Sequence, residues 1–389
     1  MPESICFSVP FNGDVAGLGA LRAAGATRFY GRASSIQTAR AIVGAGRAST
    51  SLSDIAWDSL ALAVRESRRL GADFEYLLND PDPRGLEDDQ DSRAMLVEQL
   101  RQIDAIGVAS VKVAHPVVAE LALRHTGMRV GVSKFARTRS PQQAQRWQEV
   151  GVHSICLEPA AVRDLPLLRA IRSSIDCELE VLANDACLAG CPYALAHASY
   201  SARSCHDDAA PSYTHYYSLR CLNAFLSQPD QLLRATFVRP EDVCAFRDAG
   251  VDSFKLTDRA MSTAWLVHVL QAYAGGSYSG NLADLFPLHS AWGMSVDVQS
   301  TDLQHWRERA RSGDVSAVQE FRRVLPALVG AYIESSALGP LSNAVRHGSC
   351  STSACGAVCQ LCSDLSLRAV SFRGPLVEEA LKLLSDLAS

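Results

Sequence analysis

Short apolar runs alternate with amphipathic segments of helical period along most of the first 280 residues, and a small or apolar residue followed by glycine recurs just ahead of several of those runs. The instances are Ala24-Gly25-Ala26, Leu70-Gly71-Ala72, Ile106-Gly107-Val108, Val150-Gly151-Val152 and Ala249-Gly250-Val251. A glycine just past a helix adopts the left-handed backbone without a Cβ clash, so each phrase predicts a helix end followed by a strand. Strands are predicted at 5–9, 28–30, 74–79, 109–114, 129–135, 154–158, 178–184 and 253–257, with helices at 55–70, 93–106, 141–150 and 261–274 among them. Eight strands alternating with helices imply an α/β protein with a parallel sheet, and eight is the number that closes a (β/α)₈ TIM-like barrel. A doubly wound open sheet is the alternative.

The rhythm breaks at two places. About fifty residues, 186–238, separate the seventh strand from its helix and carry no repeated strand or helix pattern; a loop of that length after a barrel strand is ordinarily functional. After Gly280 the chain turns helical (301–311, 315–335, 376–387) and contains a cysteine-rich stretch. The expected organisation is a barrel over 1–280, including the insertion, and a helical C-terminal extension over 281–389.

Composition adds one anomaly. The chain is 389 residues long, 48% hydrophobic and 20% charged, with a net charge of -5, which excludes disorder and offers no general attraction for bulk nucleic acid. It has twelve cysteines. The start, MPESICFSVPFNGD, shows no leader pattern, and no apolar stretch is long enough to span a membrane, so a cytoplasmic location is expected, where clustered thiols signify metal or redox chemistry more than disulfides.

Cys6, Cys156, Cys177 and Cys244 fall in barrel strands or helices and are read as small buried hydrophobes. Cys187, Cys191, Cys205 and Cys221 lie in the insertion, with Cys205 ranked below Cys221 because its surroundings are polar and serine-rich. Cys350, Cys355, Cys359 and Cys362 form C-x₄-C-x₃-C-x₂-C, a spacing that lets one short loop turn four sulfurs inward. That pattern allows zinc, an iron–sulfur cluster, or a reduced loop with no metal.

The blocks VGVSKFARTRSPQQAQRWQEVGV, CELEVLANDACLAGCPYALAH and FVRPEDVCAFRDAGVDSFKLTDR resemble the collagenase-like proteins of peptidase family U32. The resemblance covers about 129–285 and implies a (β/α)₈-like barrel that carries a four-iron four-sulfur cluster on cysteine thiolates. It further implies oxygen-independent hydroxylation of RNA bases or quinone precursors in several members, and peptidase activity in others. Cys187 and Cys191 match the paired cysteines of the quinone-pathway branch. The loop after the second strand, where that branch has a further ligand, reads YGRASSIQTAR here and has no cysteine. One cluster mixing both cysteine groups and two separate clusters are therefore both open.

Strand alternation places Glu75, Asn79, Lys112, Ser133, Glu158, Glu178, Glu180, Lys255 and Thr257 inside the barrel, with Glu180 and Lys255 as an expected ion pair. Asn79, Ser133, Glu158, Asn184, Asp185 and Lys255, near the C-terminal strand ends, are the candidate catalytic groups. Asn184 and Asp185 stand out because they precede Cys187. Tyr193 and His197 follow as candidates beside the cofactor, His197 as a donor to a sulfur. His115, ahead of Pro116, is read as a helix start. No G-x-S-x-G or H-E-x-x-H motif supports a peptidase.

The expectation is an iron–sulfur oxidoreductase or hydroxylase acting on a small-molecule, carrier-bound or RNA-borne group, with a related subunit or electron donor as possible partner and no membrane association. The alternatives are a non-catalytic, cluster-bearing partner in a heteromeric complex and a peptidase.

Overall fold

A computed structural model describes residues 5–33, 55–82, 86–203, 214–351 and 354–388. Its eight barrel strands are β1 (Cys6–Pro10), β2 (Arg28–Gly31), β3 (Asp73–Leu78), β4 (Ser110–Val113), β5 (Arg129–Val132), β6 (Ser154–Cys156), β7 (Glu178–Leu182) and β8 (Ser253–Lys255). Each pairs in parallel with the next, and β8 pairs back onto β1, so the sheet closes. The chain is an α/β protein built on a (β/α)₈ barrel. The five glycines that mark helix ends have φ values of +120°, +67°, +84°, +101° and +98°, in the region that a Cβ disfavours.

All eight predicted strands are present, and several stop short of their predicted ends. The residues at those ends leave the ladder and become the βα loops. Ser133 caps the short turn Lys134–Ala136, and Glu158 precedes the turn Pro159–Ala161. Outward-facing Val111, Val130, Val132, Leu179, Val181 and Phe254 are buried beneath the helices, each such side chain contributing about 1.5–3 kcal/mol. His115 accepts from the Val117 N–H at the start of Pro116–His125, as its position before proline suggested.

Three expectations need correction. The insertion is not structureless: it contains helices Ala194–Arg203, Thr214–Ser227 and Asp230–Arg234. The extension is not purely helical, because helix Val315–Val329 ends where Gly330 turns left-handed, and β9 (Ala331–Ile333) then pairs antiparallel with β10 (Val370–Phe372). Cys244 is exposed and Cys6 and Cys177 are half-buried, leaving Cys156 as the one core cysteine of the four.

Insertion and extension meet each other. Leu219, Leu222 and Leu226 of Thr214–Ser227 pack with Phe321, Leu325 and Leu328 of Val315–Val329 and with Leu383 and Leu384 of Val377–Ala388, forming an apolar cluster beside the barrel core. Cys221 lies on the insertion helix that makes this contact.

Candidate active site at the barrel mouth

The barrel interior is filled by charge. Arg28 makes two hydrogen bonds to the Glu178 carboxylate, at 2.7 and 2.9 Å, and lies 3.6 Å from Glu180. Lys112 bridges Glu180 at 3.0 Å and Glu75 at 3.2 Å, and Lys255 reaches Glu75 at 2.8 Å. The expected Glu180–Lys255 pair is the long contact, at 3.9 Å. Lys255 registers with Leu182, one layer above Glu180, so its ammonium crosses the barrel to Glu75. Gly131 makes room for this arrangement: a Cβ there would lie 2.4 Å from Ser154 Oγ and 3.0 Å from Lys112 Nζ.

Burial by itself would neutralise these groups. It pushes the Glu75 pKa up, but the ammonium groups of Lys112 and Lys255 outweigh it and hold the carboxyl well below the usual glutamate range. Burial likewise pulls Lys112 down, and Glu180 and Glu75 more than restore it, leaving it above the usual lysine value. Both groups are ionised at neutral pH.

Above this network lies a cavity of about 80 Å³. Lys112, Glu180 and Cys156 contribute to its lining. Its sides include Tyr30, whose ring centre lies 4.0 Å from Lys255 Nζ and whose hydroxyl donates to Leu256 O at 2.6 Å. Asn79 Nδ2 donates to Ser133 Oγ at 3.0 Å on the same wall. Lys134, Asp258 and Arg259 add further charge. The lining thus presents Lys112, Lys134, Lys255 and Arg259 against Glu180 and Asp258, while Glu75 and Asp185, which pair with Lys255 and Lys134, stand outside it.

Of the candidate catalytic residues, Asn79, Ser133 and Lys255 line the cavity. Asp185 is buried and pairs with Lys134, one step behind the wall. Asn184 acts as a brace: its Nδ2 donates to Thr257 O at 2.7 Å and Leu285 O at 3.0 Å, while its Oδ1 accepts from Thr257 N at 2.7 Å. Glu158 lies outside the lining and pairs with Arg137 at 2.9 Å. Tyr30, Lys134, Cys156, Asp258 and Arg259 were not singled out in the sequence. Lys134, Asp258 and Arg259 sit beyond strand ends, where period-two parity no longer indicates direction, and Cys156 reads as an ordinary core residue.

The insertion opens beside this wall. Cys187 N–H donates to Asp185 O at 2.9 Å and Cys191 N–H to Leu188 O at 3.4 Å, around Gly190 at φ +65°, so both half-buried thiols share one turn. The Cys187 thiol lies 3.5 Å from Asp185 Oδ2. Cys221, on Thr214–Ser227, is half-buried against the barrel core. His197 stacks on Tyr217 at 5.4 Å, and Tyr193 packs against Tyr216 and Tyr217. Cys205 lies outside the described residues. Cys355 and Cys359 are bridge partners in the loop that leads into helix Leu361–Ala369, and Cys350 and Cys362 are half-buried against the core. Among the described residues, no three Cys, His, Asp or Glu side chains are gathered closely enough to hold a metal ion.

Residues 86–275, which include β4 to β8 and the Cys187 turn, match the family model for peptidase family U32. Over that span the chain is similar to peptidase family U32. The uncharacterized protease MJ1657 of Methanocaldococcus jannaschii is 29% identical to this chain over 243 residues, which cover 62% of this chain and 72% of that protein. The solved structure of the U32 peptidase Mk0906 covers 65% of this chain and 93% of its own, at 15% identity and a TM-score of 0.48. The native KDPGal structure covers 71% and 94%, at 13% identity and a TM-score of 0.40. No helix among the described residues is long and apolar enough to cross a membrane.

Proposed function

We propose that this U32-like chain is an enzyme that takes an anionic small molecule, or an anionic group presented by a carrier or an RNA, into the barrel mouth and modifies it by redox chemistry. In the terms of the family resemblance, the reaction is an oxygen-independent hydroxylation supported by an iron–sulfur cluster on Cys187 and Cys191. The observation that supports this reading is contiguity: Lys134 lines the cavity, Asp185 is its ion-pair partner, and the Cys187 thiol lies against Asp185. The donor set fits such a cluster in kind, with two half-buried soft ligands on one turn and Cys221 on the neighbouring helix. When bound, the cluster supplies one-electron transfer beside the pocket. The protein's own residues would do the rest: Lys134, Lys255 and Arg259 attract the anion, Asn79 and Ser133 orient it, and Asn184 holds the wall at Thr257.

A hydrolytic reaction needs an activated nucleophile. No histidine lines the cavity. Burial pushes the Cys156 thiol far above its usual pKa, which keeps it protonated and unreactive at neutral pH.

Anaerobic purification followed by iron and acid-labile sulfide analysis tests the reading. Cys187→Ala should lose the iron held at the barrel mouth, whereas Lys134→Met should keep it and lose biological activity in a complemented deletion strain. An active Lys134→Met chain would make the cluster structural and the protein a non-catalytic partner. Hydrolysis of a fluorogenic peptide that persists in Cys187→Ala would replace the redox reading with a peptidase.

A further inference from the structure

The C-terminal cysteine quartet stands apart from the functional reading above, and its surroundings contain a half-buried arginine with one enclosed, unmatched nitrogen. Arg163, just ahead of helix Leu165–Arg172, donates from Nε to Phe237 O at 3.0 Å and from Nη1 to Leu233 O at 2.6 Å, with its guanidinium 4.1 Å above the Phe237 ring. Its Nη2 is shut off from solvent and has no hydrogen-bond acceptor, and Arg163 takes part in no ion pair among the described residues. Shutting part of a guanidinium off from water beside neutral carbonyls and a ring is costly unless an anion is close.

The groups whose negative charge would favour Arg163 are, in order, Cys350, Cys362, Asp242 and Cys355. Asp242 is already engaged by Arg346 at 2.8 Å and by Ser342 at 2.9 Å. Asp164, which also faces Cys350, caps helix Leu165–Arg172 by accepting from Leu167 N–H. The sulfurs are thus the anion source that remains.

The backbone brings them there. Gly348 turns at φ +71° so close to Pro166 that a Cβ would lie 2.9 Å from its ring, which holds the start of the cysteine loop against the helix that follows Arg163. Gly356, at φ +78° between Cys355 and Cys359, lies under the Arg234 guanidinium, with Nη1 3.1 Å from where a Cβ would stand. Arg234 also donates to Ser363, one residue beyond Cys362, at 2.9 Å. A loop of four thiols is therefore bordered by two guanidinium groups, only one of which, Arg234, has a carboxylate partner, Asp230 at 3.0 Å.

We propose that Cys350, Cys355, Cys359 and Cys362 form a second, separate metal centre, in which four thiolates hold a thiophilic metal and Arg163 is the adjoining counter-charge. Four thiolates around a divalent zinc ion carry a net charge of about -2, and a thiolate-held cluster is likewise anionic, so either occupant supplies what Arg163 lacks. On loading, the loop draws the sulfurs together. Arg163 is a positioning residue, because it would act on the sulfurs and not on the metal.

The test uses the whole chain produced anaerobically, with zinc, iron and sulfide measured per chain for wild type, for Cys187→Ala/Cys191→Ala and for Cys355→Ser/Cys359→Ser. The proposal expects one metal complement to survive the first double substitution and vanish with the second; zinc alone, or iron with matching sulfide, identifies its kind. Metal lost only in Cys187→Ala/Cys191→Ala overturns the proposal and leaves the functional reading intact. Metal lost only in Cys355→Ser/Cys359→Ser upholds the proposal and removes the mouth cluster. Complete loss in both means one mixed centre and overturns the separation, and no metal in wild type overturns both. A readout that does not depend on folding of a variant is alkylation mapping of the wild type: the exposed Cys355 should be shielded until a chelator is added. Arg163→Gln should release the metal to a chelator about tenfold more readily, with Arg163→Lys partly restoring retention. Equal retention in all three removes Arg163 from the centre.

Discussion

Six charged side chains occupy the barrel interior, Arg28, Lys112 and Lys255 against Glu75, Glu178 and Glu180, whereas the junction between the insertion helix and the segment after the barrel encloses a neutral histidine. His289 packs edge-on against Phe225 at 4.9 Å, its Nε2 has no partner, and burial pushes its pKa down to about 4. The barrel depends on charges remaining ionised, and the junction depends on one remaining absent. Burial has the same cost in both places; what differs is whether opposite charges are packed within reach.

The most damaging way to break this contrast is Lys112→Met. It leaves Glu75 and Glu180 facing each other without the cation that bridges them at 3.2 and 3.0 Å. A loss of about 3–5 kcal/mol is expected in urea unfolding. A loss below about 1 kcal/mol would mean that the network relaxes and that burial does not decide its energetics.

Acid should separate the two regions by pH. The folded pKa of His289 lies below that of an unfolded histidine, so the unfolded chain binds more protons between about 6.5 and 4, and stability falls as pH drops through that window. The loss at pH 5 is about 2 kcal/mol, and His289→Gln should abolish it. Glu75 is also depressed, but its contribution is full above the ordinary glutamate value of about 4.3 and is lost only as pH falls below it. Hydrogen exchange at pH 5 should therefore show amides of Thr214–Ser227 opening while β3, β4 and β7 stay protected. Simultaneous opening of both would remove the distinction.

The smallest expected effect calibrates the others. Arg146→Ala removes a fully exposed i,i+3 pair with Glu149 at 2.8 Å, and no change in Tm should be detectable.

Most of the barrel was legible because its signals are local. A left-handed glycine ends a helix whatever surrounds it, and alternation assigns a strand residue to one face without reference to any other strand. The first rule marked the approach to five of the eight strands, and the second placed Glu75, Lys112, Glu180 and Lys255 inside. The blocks around Cys187 supported the family, and the U32 match agrees with them. The cysteine groupings, too, are visible in the spacing alone.

What the sequence could not assign were partners, because a partner is chosen by closure and register between distant elements. Lys255 crosses to Glu75 because it sits one layer above Glu180, and Asn184 serves the backbone just past β8 because Thr257 arrives beside it. Lys134 and Arg259 entered the site only once the strands were seen to end early. Arg163, in a turn after β6, gives no sign in the sequence of facing a loop near the chain's end; only packing places its charge beside the four thiols. Local periodicity determined where each side chain points, and the tertiary structure decided what it meets.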